Sequence, residues 1–432
     1  MVAIIRTSDK NFNSQLLSAL SLSREEKKRV DDVVSEILQS VKIKGDEALD
    51  YFTTKFDKVD VTGDKILFNE DEISSSFKAC SEKLIGAIKN AAKRINDYHK
   101  RQLPKNLNYQ DDNGINLGYR WSPINRAGLY VPAGSAPLFS SVLMNVIPAR
   151  VAGVKEVFVV MPTPKGEVSP AMLVACSIAG VDRIFRVGGA QALAALAYGT
   201  ERIMPVDIIA GPGNAYVASA KKQLYGQVGI DMIAGPSEIT VVSDNKNDPR
   251  WIATDLLAQA EHDTSAQSIL ITDDQDFSLS VSKEINSQLN KNSFSSIAKE
   301  SWLRNGIIIT VENLNQVPSI VDLISPEHLE LAIENPRYLS DQIKNAGAIF
   351  LGRYTPEAAG DYIAGPSHVL PTSGTARFSS GLSVMNFLKR TSLIEFNKEA
   401  LNNLKEDIVT MAEAEGLFYH AQSVSVRSLK DS

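Results

Sequence analysis

Val157-Phe-Val-Val-Met161, Arg183-Ile-Phe-Arg-Val187 and Val206-Asp-Ile-Ile-Ala210 are short runs rich in apolar residues. Between them lie Pro170 to Ile178 and Ala190 to Tyr198, whose composition predicts helices, the first closed by Gly180. Strands that are apolar throughout are covered on both faces, and strands alternating with helices imply right-handed crossovers and parallel sheets. The alternation continues with a helix from Asn214 to Leu224, the strand Ile239-Thr-Val-Val-Ser243, a helix from Trp251 to Glu261, and Ser268-Ile-Leu-Ile-Thr272. Ile307-Ile-Ile-Thr-Val311 and Ala348-Ile-Phe-Leu351 follow later. The fold class is α/β.

Outward from this core the pattern is simpler. The chain before Pro104 reads mostly as helix, with a capping signal at Ser23-Arg-Glu-Glu and an amphipathic run from Glu82 to Gln102. The polar stretch Asn106 to Asn116 reads as a linker, and Asn290 to Ser296 as a surface loop. The tetrapeptide Ile-Ala-Gly-Pro recurs at Ile209, Ile233 and Ile363 without a fixed period. That excludes a solenoid and predicts extended backbone leaving strand ends, where α/β sheets bind ligands, or else ordinary turns.

With 432 residues, 44% hydrophobic and 22% charged, the chain is no disordered tail, fibre or coiled-coil rod. The formal charge of −6 is unclustered and argues against a dedicated nucleic-acid binder. Cys80 and Cys176 lie far apart and in no motif, which suits a reducing compartment. The apolar start of MVAIIRTSDKNF is too short for a signal segment, and no apolar run is long enough to span a bilayer. A soluble cytoplasmic protein is the expectation.

Chemistry must come from few residues. Of five histidines, His99 sits in the charged run DYHKR and reads as a surface residue. Gln259-Ala-Glu-His262 places Gln259 and His262 on one helix face, as ligands or as a helix end with its histidine on the dipole. Pro326-Glu-His328 fits a first helical turn, with Glu327 and His328 either an exposed pair or a base and a water-orienting carboxylate. A glycine-rich, loop-like segment presents Glu357, Asp361 and His368, and Glu415 and His420 stand near the C-terminus. Gln259, His262, Asp361 and His420 would form an N/O donor set that suits zinc and tolerates manganese. Gly211-Pro-Gly213 opens a helix, but Tyr216 stands where the dinucleotide fingerprint needs a small residue. These glycines, with Gly188-Gly189, are tight turns or phosphate cradles.

Assembled in order, these segments resemble the histidinol dehydrogenase family. The likeness runs through Gly128-Leu-Tyr-Val-Pro-Ala-Gly134, Val187-Gly-Gly-Ala-Gln191, Gly211-Pro-Gly-Asn214, Gly235-Pro-Ser-Glu238, Gln259-Ala-Glu-His262, Pro326-Glu-His-Leu329 and Asp361-Tyr-Ile-Ala-Gly-Pro-Ser-His368, ending at Glu415-Gly-Leu-Phe-Tyr-His420. The resemblance implies an NAD-dependent four-electron oxidation of L-histidinol to L-histidine through histidinaldehyde, the last step of histidine biosynthesis. It further implies one zinc per active site and a homodimer whose C-terminal segment crosses to the neighbour. Carried over, Gln259, His262, Asp361 and His420 look like zinc ligands, and Glu327 and His328 like the acid–base pair. Tyr130, Gln191 and Asn214 look like NAD contacts. Ser237, His368 and Glu415, with His328 and the metal ligands, look like substrate contacts. The implied fold has two lobes with incomplete Rossmann-like, aldehyde-dehydrogenase-like sheets. One lobe spans about 129–234 and the other combines 25–107 with 235–375; a dimerisation arm (1–24) and a swapped tail (376–432) flank them. A relative acting on another small alcohol, such as a sulfonated diol, is the alternative.

Overall fold

In the computed structural model, residues 2–24, 30–132, 137–291 and 296–428 are described. Contacts divide the chain into a unit of Met1–Arg101 with Asn125–Phe387, and a smaller one of Gln102–Ile124 with Leu388–Ser432.

The larger unit holds two parallel sheets, as the alternating pattern predicts. Five strands run in the order Arg183–Phe185, Glu156–Val160, Arg126–Tyr130, Ile208–Ala210 and Gly229–Ile230. Six run in the order Ala3–Arg6, Ile307–Thr310, Gln267–Thr272, Glu238–Ser243, His328–Ala332 and Ala348–Leu351. The apolar start of the chain is thus an edge strand, with Ile4 beside Ile308. Helices cover both faces of the larger sheet. Leu329, Leu331, Ile269 and Ile271 pack with Val317 and Val321, while Ile239, Val241 and Leu270 pack with Ile252 and Leu256. The smaller sheet packs Phe158, Val160 and Ile209 against the helix Gly189–Tyr198 and against Val34, Ile37 and Leu49 of the N-terminal helices.

The smaller unit is a three-stranded antiparallel sheet, ordered Leu388–Glu395, Asn116–Pro123 and Leu107–Gln110, with helices Lys398–Ala414 and Phe418–Ser425.

The structure departs from several local expectations. The polar segment 106–116 is a hairpin rather than a linker. Asp111 Oδ1 accepts from the amides of Asn113 and Ile115 and closes its turn. His99 is fully buried, because with Ile88, Ala91 and Ile95 it continues the apolar stripe of the helix Glu82–Lys100. Glu327 and His328 do not open a helix. Ser325 adopts φ 51° and stops the helix Val317–Ile324, and the chain then enters the strand His328–Ala332 between two neighbours. Among the Ile-Ala-Gly-Pro copies only the first leaves a strand; the second precedes Glu238–Ser243, and the third follows the short helix Glu357–Tyr362. That short helix also replaces the loop expected there. Glu25 and Glu26 of the capping expectation and 292–295 of the expected loop lie outside the described residues. Among the described residues, no helix is long and apolar enough to cross a membrane.

Candidate active site

The amino ends of the larger sheet gather the titratable groups. His328 opens its strand opposite Ile239 and Ala348, which sets Glu238 and Glu327 side by side just before them. Glu327 Oε2 accepts from the Glu238 amide at 2.9 Å. His328 Nδ1 lies 3.1 Å from the Glu238 carbonyl oxygen, which can only accept, so Nδ1 carries the hydrogen and donates it. Nε2 then keeps its lone pair; it is buried and without a partner. Burial holds the imidazole neutral, with its pKa lowered to about 4 against the opposing pull of Asp361. Burial, with neighbouring Glu238 and Asp361, pushes Glu327 well above the usual carboxyl range. Among the described residues no hydrogen bond engages Glu327 Oε1.

The helix Glu357–Tyr362 supplies two further carboxyls, one turn apart. Glu357 Oε1 is 3.1 Å from His328 Nδ1, and burial raises its pKa strongly. Asp361 is held below the usual range despite burial, by its hydrogen bond to His368 and by the imidazoles of His368, His328 and His262. His368 Nδ1 donates to the Asp361 carbonyl at 3.2 Å, and its Nε2 lies 3.1 Å from Ser141 Oγ. Donor atoms of His328, Glu357 and Asp361 lie within 4.8 Å of one another, a spacing that could hold a cation.

Gln259 stands in the last turn of the helix Pro249–Ala260, which packs on the Glu357–Tyr362 helix. It is 0% exposed, yet neither amide atom has a partner. Buried amides are nearly always satisfied, so an orphan in a titratable cluster marks a place for a ligand. His262 follows the helix end, is exposed, and lies close enough to Asp361 and His328 to act on their charge. Ser237 is half-buried, directly before Glu238, and its carbonyl accepts from the Gln267 amide.

A second cluster lies at the carboxyl ends of the smaller sheet. Tyr130 ends its strand, buried, with its hydroxyl accepting from the Gly189 amide at 3.4 Å, and burial pushes its pKa up to about 12. Gln191, 1% exposed, folds back over Gly189. Asn214 is exposed and caps the helix Ala215–Leu224, with Oδ1 accepting from the amides of Tyr216 and Val217. Gly211 has φ 109°, and any Cβ there would collide with the Tyr130 carbonyl oxygen, so only glycine fits. Its amide donates to Asp231 Oδ2 at 2.8 Å, and its carbonyl accepts from Lys221 Nζ at 2.7 Å. Lys221 and Asp231 form a buried ion pair behind the turn.

Glu415 and His420 belong to the smaller unit, exposed at the end of one helix and within the next. Glu238, Glu330 and Asp255 escaped the reading of the sequence. Glu330 stands two residues beyond His328 on the same strand face, a signal visible only once the segment is known to be a strand.

The histidinol dehydrogenase family model matches residues 20–428. The histidinol dehydrogenase of Rhodospirillum rubrum is 52% identical over 424 residues, 98% of each chain. That of Agrobacterium fabrum is 50% identical over 417 residues, 96% of each. The crystal structure of histidinol dehydrogenase from Elizabethkingia anophelis superposes with a TM-score of 0.92 at 37% identity, covering 99% of this chain and 98% of that one.

Proposed function

The chain belongs to the histidinol dehydrogenase family, an oxidoreductase family, and on that premise we propose that it oxidises L-histidinol to L-histidine through L-histidinaldehyde. The reaction closes histidine biosynthesis, removes two hydrides, and uses NAD and one zinc per site. The observation that carries the reading is the buried pair of a neutral imidazole with a free Nε2 and a carboxyl with an unengaged Oε1, beside an orphaned amide.

Gln259, His262, Asp361 and His420 would hold the zinc. Two imidazoles, a carboxylate and an amide are suitable donors, and the buried Gln259 amide, without a hydrogen-bond partner, fits a place among them. When bound, the zinc offers a place for the substrate's imidazole and amine. His420 and Glu415 would be contributed by a partner subunit in a homodimer. NAD would lie against Tyr130, Gln191 and Asn214, beside the Gly211 turn that only glycine can make against the Tyr130 backbone, and there it would accept each hydride.

The chain's own residues divide the proton work. His328 Nε2 takes the hydroxyl proton as the first hydride leaves. Its Nδ1–H stays fixed on the Glu238 carbonyl, which holds the tautomer and the ring plane. Glu327 Oε1 then takes a proton from the water that adds to the aldehyde, and the hydrate anion so formed loses the second hydride to leave the carboxylic acid. Ser237, His368 and Glu415 would orient the substrate, with Ser141 steadying His368. The Cys176 thiol takes no part: it is fully buried, and that burial pushes its pKa far up.

The test is NADH formed per L-histidinol consumed, with zinc-loaded and chelator-stripped protein. Two per substrate, lost on stripping and restored by zinc, is the expected result. No NADH from a folded, zinc-bound protein would turn the reading toward another small alcohol.

A further inference from the structure

The helix Glu357–Tyr362 brings to the site a carboxyl that the proton chemistry leaves unused. Glu357 opens this helix, and Asp361 follows one turn later on the same face. Gly360 seats the helix: a Cβ there would come within 2.6 Å of the Phe350 ring, on the strand paired with His328–Ala332. Glu357 is left 3% exposed, with Oε1 3.1 Å from His328 Nδ1. The hydrogen on that nitrogen goes to the Glu238 carbonyl, and neither oxygen of Glu357 has a hydrogen-bond partner. Its neighbours differ in this. Glu327 Oε2 holds the Glu238 amide, and Asp361 Oδ1 stands 3.6 Å from His368 Nδ1. Burying a carboxyl without donors is costly, so an orphan of this kind marks the place of a donor from outside the chain. Burial, with Asp361 and Glu327 beside it, raises the Glu357 pKa, as expected of an acid with no cation opposite.

L-Histidinol brings three polar groups. Its hydroxyl goes to His328 Nε2, and its imidazole has a single N–H. Only the amine carries several, three as an ammonium and two when bound to zinc, which suits a carboxyl with both oxygens open. Amine and hydroxyl stand on adjacent carbons, and Glu357 and Nε2 flank one imidazole ring, so one substrate can reach both. We propose that Glu357 receives the substrate's amino group and makes the site select amino alcohols over alcohols without the amine. The assignment rests on the proposed function for the substrate's identity. A sulfonated diol would instead bring an anion among carboxyls.

The test is calorimetric binding to zinc-loaded protein without NAD, so that nothing turns over. The ligands are L-histidinol, histamine, which keeps the amine and lacks the hydroxyl, and imidazolepropanol, which lacks only the amine. Glu357→Leu should bind L-histidinol and histamine at least tenfold more weakly, and imidazolepropanol within about threefold of wild type. Glu357→Gln, isosteric and still an acceptor, should lie between wild type and Glu357→Leu. Zinc content and NAD affinity should stay at wild-type values in both, which a merely structural role would not allow. Unchanged histamine affinity in folded Glu357→Leu, or in Glu357→Gln where that variant alone folds, overturns the proposal. So does an equal loss for imidazolepropanol, or loss of zinc, because Glu357 would then shape the site without reading the amine. Wild type that binds histamine but oxidises no L-histidinol fails the proposed function and leaves the histamine comparison to decide Glu357. Folded wild type that binds no histamine overturns the assignment of Glu357.

Discussion

The two parallel sheets of the larger unit bury charge in opposite ways. At the carboxyl ends of the five-stranded sheet, the charge buried behind the Gly211 turn is paired. Lys221 meets Asp231, and between them they hold both the amide and the carbonyl of Gly211. At the amino ends of the six-stranded sheet, burial leaves groups unsatisfied: Nε2 of His328, both amide atoms of Gln259 and both carboxyl oxygens of Glu357, while it raises the pKa of Glu327 and Glu357. A closed pair fixes a shape, here the turn beside the proposed NAD contacts. Unsatisfied groups fix a chemistry, because their partners are the ligand and the substrate. One sheet supplies a mould, the other reactivity.

Substitutions can break that contrast. His328→Asn should reduce kcat by roughly 10²–10⁴-fold while the KM for NAD stays close to wild type, as steady-state kinetics would reveal. A matching rise in the KM for NAD would blur the division between the sheets. Lys221→Met strands the Asp231 carboxylate in the core and should cost roughly 3–5 kcal/mol in denaturant unfolding. Its surviving folded fraction should bind NAD more weakly and zinc normally. Gln259→Ala and His420→Asn should weaken zinc retention about 10–100-fold, read by metal analysis after dialysis. Stoichiometric zinc in either variant would remove that residue from the ligand set.

The smallest effect concerns pH. Burial and the charge of Asp255 raise Glu330 to about 9, so it keeps its proton in the folded chain where the unfolded chain has lost it from about pH 4.5 upward. Stability is therefore lost as pH rises through that window. Glu330→Gln removes this cost. It should match wild type near pH 4.5 and exceed it increasingly toward pH 9, by about 1–3 kcal/mol. Thermal melts across that range would show the gap, and a gap of opposite sign would mean that Glu330 is ionised when folded.

The same contrast explains what was legible in the sequence. The sheets were, because Val157–Met161 and Ile239–Ser243 are continuous apolar runs bounded by turns. The Gly211 turn was visible as a strand–glycine–helix sequence, since a mould made of backbone leaves its mark locally. Gln259, Glu327, His328, Asp361 and His368 stood out by residue type. Their environment did not, because it depends on register. Only the pairing of Ile239 with His328 brings Glu238 beside Glu327, and only strand geometry puts Glu330 on the face of His328. Pro326 imitated a helix start, and the left-handed Ser325 that forbids one is a feature of backbone conformation, not of residue type. His99 misled similarly: its charged neighbours hid a place on the apolar stripe.

The most direct measurement is the rate of each half-reaction in Glu327→Gln, with L-histidinol and L-histidinaldehyde supplied separately. Glu327 serves the water and His328 the hydroxyl in this account, so aldehyde oxidation should fall much further than alcohol oxidation. Equal losses in the two steps would contradict it.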